Sequence, residues 1–339
     1  MAGQAHRIAV LGAGTVGREV VITLLTDWTA DYDLTGIAVR DVPKAEAAGL
    51  PTSLLTDAPA HLVSGGPDVL VELMGGEEPA RTLIAAALGA GIPVVTANKY
   101  VVARHGAELE ALARKTKTPF RFEAAVMGGT PILRMLAEDL AATRIRHLRG
   151  IVNGTTNHIL TEMASRGLPY DAALAGAQAA GYAEADPRGD VEGGDAADKL
   201  VILARLAFGV WLDRSSVVTA RRGEKPGITG VTSGDLEAAS KRRQAIRLLA
   251  AASRAADGAI EASVLPTEVP LDSPLGQTSG VRNRIEIESD RLGWIGIEGP
   301  GAGGAATAAA VLADVAAIAA GGGSTWGALS VATSAIPVG

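Results

Sequence analysis

The 339-residue chain contains no cysteine. That absence removes disulfides, thiolate metal ligands and every mechanism that needs a thiol nucleophile. Aromatic residues make up only 3%, so a core must be built from Ala, Val, Leu and Ile, the bulk of a 47% hydrophobic content. Charge of one sign is not concentrated either. Lys and Arg number 31 against 37 Asp and Glu, a net −6, and the basic residues are scattered without the stripe that nucleic-acid binding requires. Long apolar runs are also missing. IAVLGAG breaks at glycines and the C-terminal Ala-rich stretch carries Asp314, so no membrane span is expected. No cationic leader precedes an apolar core, and the cytosol is the default location. The five histidines (His6, His61, His105, His147, His158) are far apart and form no zinc-ligand spacing.

What the chain does have is an alternating pattern. At this length two domains are the natural expectation. HRIAVLGAGTVG reads as a strand, a glycine turn and a helix start. DLTGIAVRD, PDVLVELMGG, IPVVTANK and PFRFEAAV supply further strands, with helices over 79–91 and 104–115 between them. Short apolar strands alternating with helices make a parallel sheet with crossovers, an α/β fold. Ligands bind at the carboxyl ends of such strands. From about residue 134 the texture becomes α+β. RIRHLRGIV is a strand, NGTTNHILTEM a helix capped by Asn153 or the threonines, and helices follow at 170–180 and 195–208. AIRLLAAAS, AIEASVLP, NRIEIES and GWIGIE are strands with short turns. The boundaries expected are 1–133 for a nucleotide-binding domain and 134–298 for a catalytic and dimerisation domain. A helix over 299–320 should return to the first domain, followed by a loosely ordered tail over 321–339.

Gly12-Ala13-Gly14-Thr15-Val16-Gly17 follows a strand and opens a helix, the context that a Rossmann dinucleotide fingerprint demands. Its glycines permit the tight turn, close approach to a pyrophosphate and close helix–strand packing, and the helix N-terminus favours the anion. Beyond the second strand come Arg40, Asp41 and Lys44. Arginine suits a 2′-phosphate and an acid suits a ribose hydroxyl. Arg40 leans toward NADP(H), and Asp41 keeps NAD(H) open. Lys99 ends a buried strand, where it could bind an anion, polarise an oxygen or simply be solvated. EAAVMGGT (123–130) offers one carboxylate followed by small residues whose carbonyls could hold a hard cation. By spacing alone a hinge is the preferred reading.

The richest segment is GYAEADPRGDVEGGDAADKL (181–200), six acidic residues around a single lysine, Lys199. Asp195 is a plausible N-cap for the following helix. At roughly 100° per residue, Asp195 and Lys199 share a stripe with Ile202, Leu203 and Leu206, while Asp198 and Arg205 fall on what reads as the wet face. A lysine on an apolar stripe has no packing reason to be there. Its plain alternative is a surface i,i+4 ion pair, worth only ~0.3–0.5 kcal/mol. The Tyr-x-x-x-Lys pair of short-chain reductases is missing, which leaves Lys199 and Lys99 as the lysine candidates for proton transfer.

The motifs GAGTVG, VELMGG, TANK, EAAVMGGTP, GIVNGTTNHILTEM, AQAAGYAEADPRGDVEGGDAADKL and GPGAGGAATA, in this order, resemble those of homoserine dehydrogenase over nearly the whole chain. The resemblance implies NAD(P)-dependent interconversion of L-homoserine and L-aspartate 4-semialdehyde, on the route to threonine and methionine. It makes Lys199 the catalytic lysine and Lys99 a second active-site lysine. Glu184, Asp190 and Asp195 become substrate residues. Gly12, Gly14, Thr15, Val16, Gly17, Arg40, Lys99 and Gly303 become cofactor contacts, and the 299–304 turn closes over the nicotinamide side. Glu123, Val126, Gly128 and Thr130 match a sodium site, which displaces the hinge reading. A homodimer joined through the second domain is implied. Many bacterial relatives carry a C-terminal ACT regulatory domain, but here barely twenty residues follow the last helix, so threonine feedback through such a domain is not expected. Competing readings are a related oxidoreductase of another small amino or hydroxy acid, and a non-catalytic NAD(P)-binding sensor.

Overall fold

The first strands are continuous apolar runs because both of their faces are covered, as in parallel sheets generally. A computed structural model describes residues 5–220 and 224–334. In chain order it begins β1 (His6–Leu11), α1 (Thr15–Thr26), β2 (Tyr32–Ala38), α2 (Val42–Ala47), β3 (Leu55–Thr56), α3 (Pro59–Ser64) and β4 (Val69–Glu72). It continues α4 (Ala80–Gly89), β5 (Val94–Thr96), α5 (Lys99–Thr116) and β6 (Phe120–Arg121). These strands form one parallel sheet in the order β3-β2-β1-β4-β5-β6. The order reverses between β1 and β4, the switch point at which a doubly wound Rossmann sheet leaves a crevice for a nucleotide.

The next stretch holds β7 (Ile145–Ile151), α6 (Gly154–Arg166), α7 (Tyr170–Ala179), α8 (Arg188–Val191), α9 (Gly194–Phe208) and β8 (Val210–Trp211). Then come α10 (Ser233–Lys241), β9 (Gln244–Arg254), β10 (Ile260–Pro270), α11 (Pro274–Gln277), β11 (Arg282–Ser289) and β12 (Gly293–Pro300). Five of these strands form an antiparallel sheet, β10-β9-β7-β11-β12. Its period-2 alternation turns Leu148, Ile285 and Ile287 inward, while Arg149, Arg284 and Glu286 point to the opposite face. The last helix is α12 (Gly304–Ala319), and β13 (Thr333–Ser334) pairs with β8.

The chain divides into two compact units, residues 1–138 with 302–331, and 139–301 with 332–339. Helix α12 thus belongs to the parallel-sheet unit. Ala308, Val311, Leu312 and Val315, spaced i, i+3, i+4, i+7, join the core of Ile8, Val10, Val20, Val21 and Leu24.

Two expectations are corrected. Helix α5 begins at Lys99, well before residue 104, because the Asn98 side chain caps it by accepting from Val101 N–H at 3.2 Å. The segment after α12 is not loose. Arg121 Nε donates to the Gly323 carbonyl (2.8 Å), Phe122 N–H to Thr325 Oγ1 (2.9 Å) and Arg114 to the Leu329 carbonyl (2.7 Å). Trp326 is buried against Phe120 and Phe122. Residues 335–339 of the expected tail lie outside the described residues.

Candidate active site

In the parallel-sheet unit, Gly12 sits at φ +101°, and a Cβ there would lie 2.7 Å from the Leu73 carbonyl oxygen after β4. A Cβ on Gly17 would lie 2.0 Å from the Gly12 carbonyl oxygen. The turn and the first turn of α1 are therefore pressed together as only glycines allow. Gly14 differs. It is the N-cap of α1, and a Cβ there would meet nothing within 4 Å. Open space before the N–H groups of Thr15, Val16 and Gly17 is the cradle that a pyrophosphate requires. Gly303, at the N-cap of α12, precedes Gly304, whose Cβ position lies 3.2 Å from Thr15 Cγ2.

Arg40 is exposed just beyond β2. The neighbouring Asp41 caps α2, accepting from Lys44 N–H at 2.9 Å. One oxygen of its carboxylate thus serves a backbone role.

Lys99 is the first residue of α5. An ammonium at the positive end of a helix runs against the dipole, so the helix macrodipole does not favour a lysine there. The residue before it, Asn98, is held in a network with no signal in the sequence, its N–H donating to Thr96 Oγ1 at 2.9 Å. Glu72, fully buried at the end of β4, accepts from Thr96 Oγ1 (2.6 Å) and Met74 N–H (2.8 Å). Asn98 Nδ2 donates to the Gly76 carbonyl (2.8 Å). Burial pushes the Glu72 carboxyl above its ordinary range, with these hydrogen bonds working against it.

Residues 123–130 lie within this unit rather than at a boundary. Both carboxylate oxygens of Glu123 accept backbone N–H groups, from Leu133 (2.9 Å) and Arg134 (2.8 Å). Burial, reinforced by nearby Asp314, pushes the Glu123 carboxyl up to about 7. Val126, Gly128 and Thr130 are also buried. Asp314, buried in α12, ties this segment down by accepting from Glu123 N–H and Arg121 Nη1, both at 2.9 Å. An acidic residue inside an alanine-rich helix was its only signal in the sequence.

In the antiparallel-sheet unit, the end of β7 meets α8 and α9. Lys199 is 8% exposed. Its Nζ donates to Asp195 Oδ2 and to the Val152 carbonyl, each at 2.7 Å. Asn153 Nδ2 donates to Asp190 Oδ1 (2.7 Å) and to the same Asp195 Oδ2 (2.8 Å). The structure thus brings together Lys199, Asp195 and Asp190, with Asn153 as a member that sequence reasoning saw only as a helix cap. Glu184 is exposed and takes no part in that set of hydrogen bonds. Its loop is fastened by Gln178 Nε2 to the Glu184 carbonyl (3.0 Å) and by Thr155 Oγ1 to the Tyr182 carbonyl (2.7 Å). Asp186 is held by Arg188 at the surface, its carboxyl lowered to about 2 by that side-chain hydrogen bond.

Three details of α9 differ from expectation. Its N-cap is Gly193, with Asp195 in the first turn. Asp198 is not solvent-facing but buried, accepting from Arg214 Nε at 2.7 Å. Arg205 is fully buried. The helix is covered on all sides, so its second polar stripe faces protein, and the Asp198 carboxylate has a guanidinium partner as buried charges require.

A dinucleotide turn at a switch point, and a buried lysine held among carboxylates, define a nicotinamide-dependent dehydrogenase. Profiles for "Homoserine dehydrogenase, NAD binding domain" and "Homoserine dehydrogenase" match residues 12–123 and 131–316. The chain belongs to the homoserine dehydrogenase family. It is 42% identical over 325 residues to the homoserine dehydrogenase of Corynebacterium glutamicum, covering 92% of this chain and 72% of that one. Against the Mycobacterium leprae homoserine dehydrogenase the identity is 44% over 322 residues, covering 91% and 71%. The crystal structure of a homoserine dehydrogenase from Thiobacillus denitrificans superposes with TM-score 0.87 at 39% identity, covering 93% of this chain and 73% of that one. A hyperthermophilic archaeal homoserine dehydrogenase in complex with NADPH gives TM-score 0.76 at 29% identity, covering 93% and 97%.

Proposed function

We propose that this oxidoreductase interconverts L-homoserine and L-aspartate 4-semialdehyde with NADP(H) as the preferred nucleotide, in the supply of threonine and methionine. The observation that carries the reading is the Lys199–Asp195–Asp190 cluster at the end of β7, in a chain of this family.

The chemistry supplied by a bound nicotinamide is hydride exchange with carbon 4 of the amino acid. Gly12, Gly14, Thr15, Val16 and Gly17 are assigned to the pyrophosphate, Arg40 to a 2′-phosphate, and Lys99 and Gly303 to further cofactor contacts. In the reducing direction negative charge grows on the aldehyde oxygen. An ammonium has three N–H bonds, and two of those on Lys199 point at Val152 and Asp195. The third is left to stabilise the developing alkoxide and deliver its proton. The oxidising direction is the reverse: it starts from the neutral amine left by that proton transfer, Nζ takes the hydroxyl proton and later releases it to solvent, so that homoserine and NADP⁺ give semialdehyde, NADPH and one proton overall. Lys99 is assigned as the second active-site lysine. Asp190, Asp195 and the exposed Glu184 are assigned to the substrate ammonium.

The test is a panel of L-homoserine, L-serine, L-threonine and small 2-hydroxy acids with each nucleotide. Homoserine with NADP⁺ should be oxidised fastest, and Arg40→Ala should raise the KM for NADP⁺ more than that for NAD⁺. Preference for another alcohol would overturn the substrate assignment.

Sodium is assigned to Glu123 with the carbonyls of Val126, Gly128 and Thr130, where it would act by ordering the 123–134 segment. At constant ionic strength, replacing choline by sodium should raise the Tm of the wild type and not of Glu123→Gln. Equal shifts in both would remove the assignment.

A homodimer is assigned to the outward face of the antiparallel sheet. There the exposed Trp294 lies beneath the Arg149 guanidinium (4.5 Å) and beside His147, and Arg149 pairs with Glu286 at 2.9 Å. Interleaved charges of both signs with an exposed aromatic suit a two-fold, self-complementary contact. Sedimentation of a monomer at micromolar concentration would contradict it. Among the described residues no helix is long and apolar enough to cross a membrane. A cytoplasmic location is part of the proposal, and cell fractionation tests it.

A further inference from the structure

Asn153 opens α6, and asparagine is common at a helix N-cap because its side-chain oxygen accepts an orphan N–H. That role is filled by Oδ1, which accepts from Thr156 N–H at 2.8 Å and from Thr156 Oγ1 at 2.9 Å. The cap does not account for the other end of the amide. Both hydrogens of Nδ2 go to carboxylates on different helices, Asp190 on α8 and Asp195 on α9. The reverse amide orientation would set an oxygen against two carboxylates and the NH₂ against the Thr156 N–H, so the orientation is forced by its partners.

We infer that Asn153 is a positioning residue that holds Asp190 and Asp195 together as the receptor for the substrate's ammonium and, through Asp195, sets the place of Lys199. The inference rests on the homoserine reading and deepens it. Two carboxylates drawn to one nitrogen repel one another. The Lys199 ammonium offsets this repulsion. Lys199 of α9 donates to the same Asp195 oxygen as Asn153 does, and the adjacent Val152 carbonyl takes a second Lys199 N–H. From α6, Thr156 anchors the amide's far end. Residues 152 and 153, at the exit of β7, thus orient both the proton-transfer lysine and the paired acids. Asn153 is itself 5% exposed, so its rotamer is fixed by packing as well as by bonding.

The test separates this role from the cap. Asparagine and aspartate cap helices about equally well, and Asn153→Asp keeps the shape and the acceptor while removing only the donor. It also places a third carboxyl against two others. At pH 8 this variant should lose roughly 10²- to 10⁴-fold in kcat/KM for homoserine, the scale of losing two hydrogen bonds to charged groups. The KM for NADP⁺ should stay unchanged. Lowering the pH toward 6 should restore part of the loss, because a protonated carboxyl can again donate. Asn153→Ala should lose activity without that recovery. The Tm of Asn153→Asp should match wild type near pH 5.5 and fall below it at pH 8, a readout that needs no turnover. A wild-type enzyme inactive on homoserine would remove the substrate reading, while the Tm comparison would still decide whether Asn153 holds the acids. Unchanged kinetics and unchanged Tm across pH in Asn153→Asp would show that Asn153 is a helix cap and nothing more. A loss identical to that of Asn153→Ala at every pH would overturn the inference equally.

Discussion

Lys199→Ala should reduce kcat for homoserine oxidation by roughly 10²- to 10⁴-fold, the range for removing a positioned proton-transfer group. Binding of NADPH should be nearly untouched, because the nucleotide is assigned to glycines and an arginine of the other unit. The size of the effect follows from the geometry. Nζ is anchored by Asp195 Oδ2 and the Val152 carbonyl at 2.7 Å each, so no other described cation holds that place. The variant should also lose some stability. Asp195 then loses the Lys199 ammonium in a mostly buried setting, and breaking such a pair destabilises the fold. Fluorescence titration with NADPH beside steady-state kinetics checks both halves. Near-normal turnover in Lys199→Ala would remove the lysine from the chemistry.

Gly17→Ala and Gly14→Ala should part company although they lie in the same turn. A methyl on Gly17 would sit 2.0 Å from the Gly12 carbonyl oxygen. Backbone must shift to admit it, because no flexible side chain is there to yield. Overpacking of this kind costs roughly 1–3 kcal/mol or more, and the displaced turn should no longer bind NADPH. Gly14 has open space around its Cβ position and φ of −71°. Its replacement by alanine should cost about 1 kcal/mol or less as an N-cap change, while the methyl intrudes where the pyrophosphate approaches. Thermal melts and NADPH titrations therefore give two signatures, unstable and non-binding for Gly17→Ala, stable and weak-binding for Gly14→Ala. Equal melts for the two would show that the turn is not packed as described.

The parallel sheet was legible in HRIAVLGAGTVG and the buried runs after it because strand, glycine turn and helix start are local features. The strands of the second sheet, such as NRIEIES, were legible from alternation. What escaped reading has a common cause. Helix α9 was divided into a dry and a wet stripe on the premise that one face meets water, yet it is covered all round. Asp198 finds its partner in Arg214, sixteen residues further along the chain, and no helical pattern announces that pairing. The segment after α12 looked loose because Gly, Ser and Thr dominate it. Ser324 and Thr325 instead accept from the backbone N–H groups of Phe120 in β6 and Phe122 just beyond it, and Trp326 packs on both rings. Glycine-rich composition cannot reveal an edge strand two hundred residues away. Asn153 was legible as a cap and illegible as a bridge, since Asp190 and Asp195 reach it only through the folding of α8 and α9 onto the end of β7.

The most direct test of the account follows a single hydrogen. L-homoserine deuterated at carbon 4 is turned over with NADP⁺, and the reduced nucleotide is examined by mass spectrometry. The account predicts one deuterium in the nicotinamide with the wild-type enzyme, and that product formed far more slowly by Lys199→Ala. Deuterium lost to water, or no reduced nucleotide from the wild type, would contradict it.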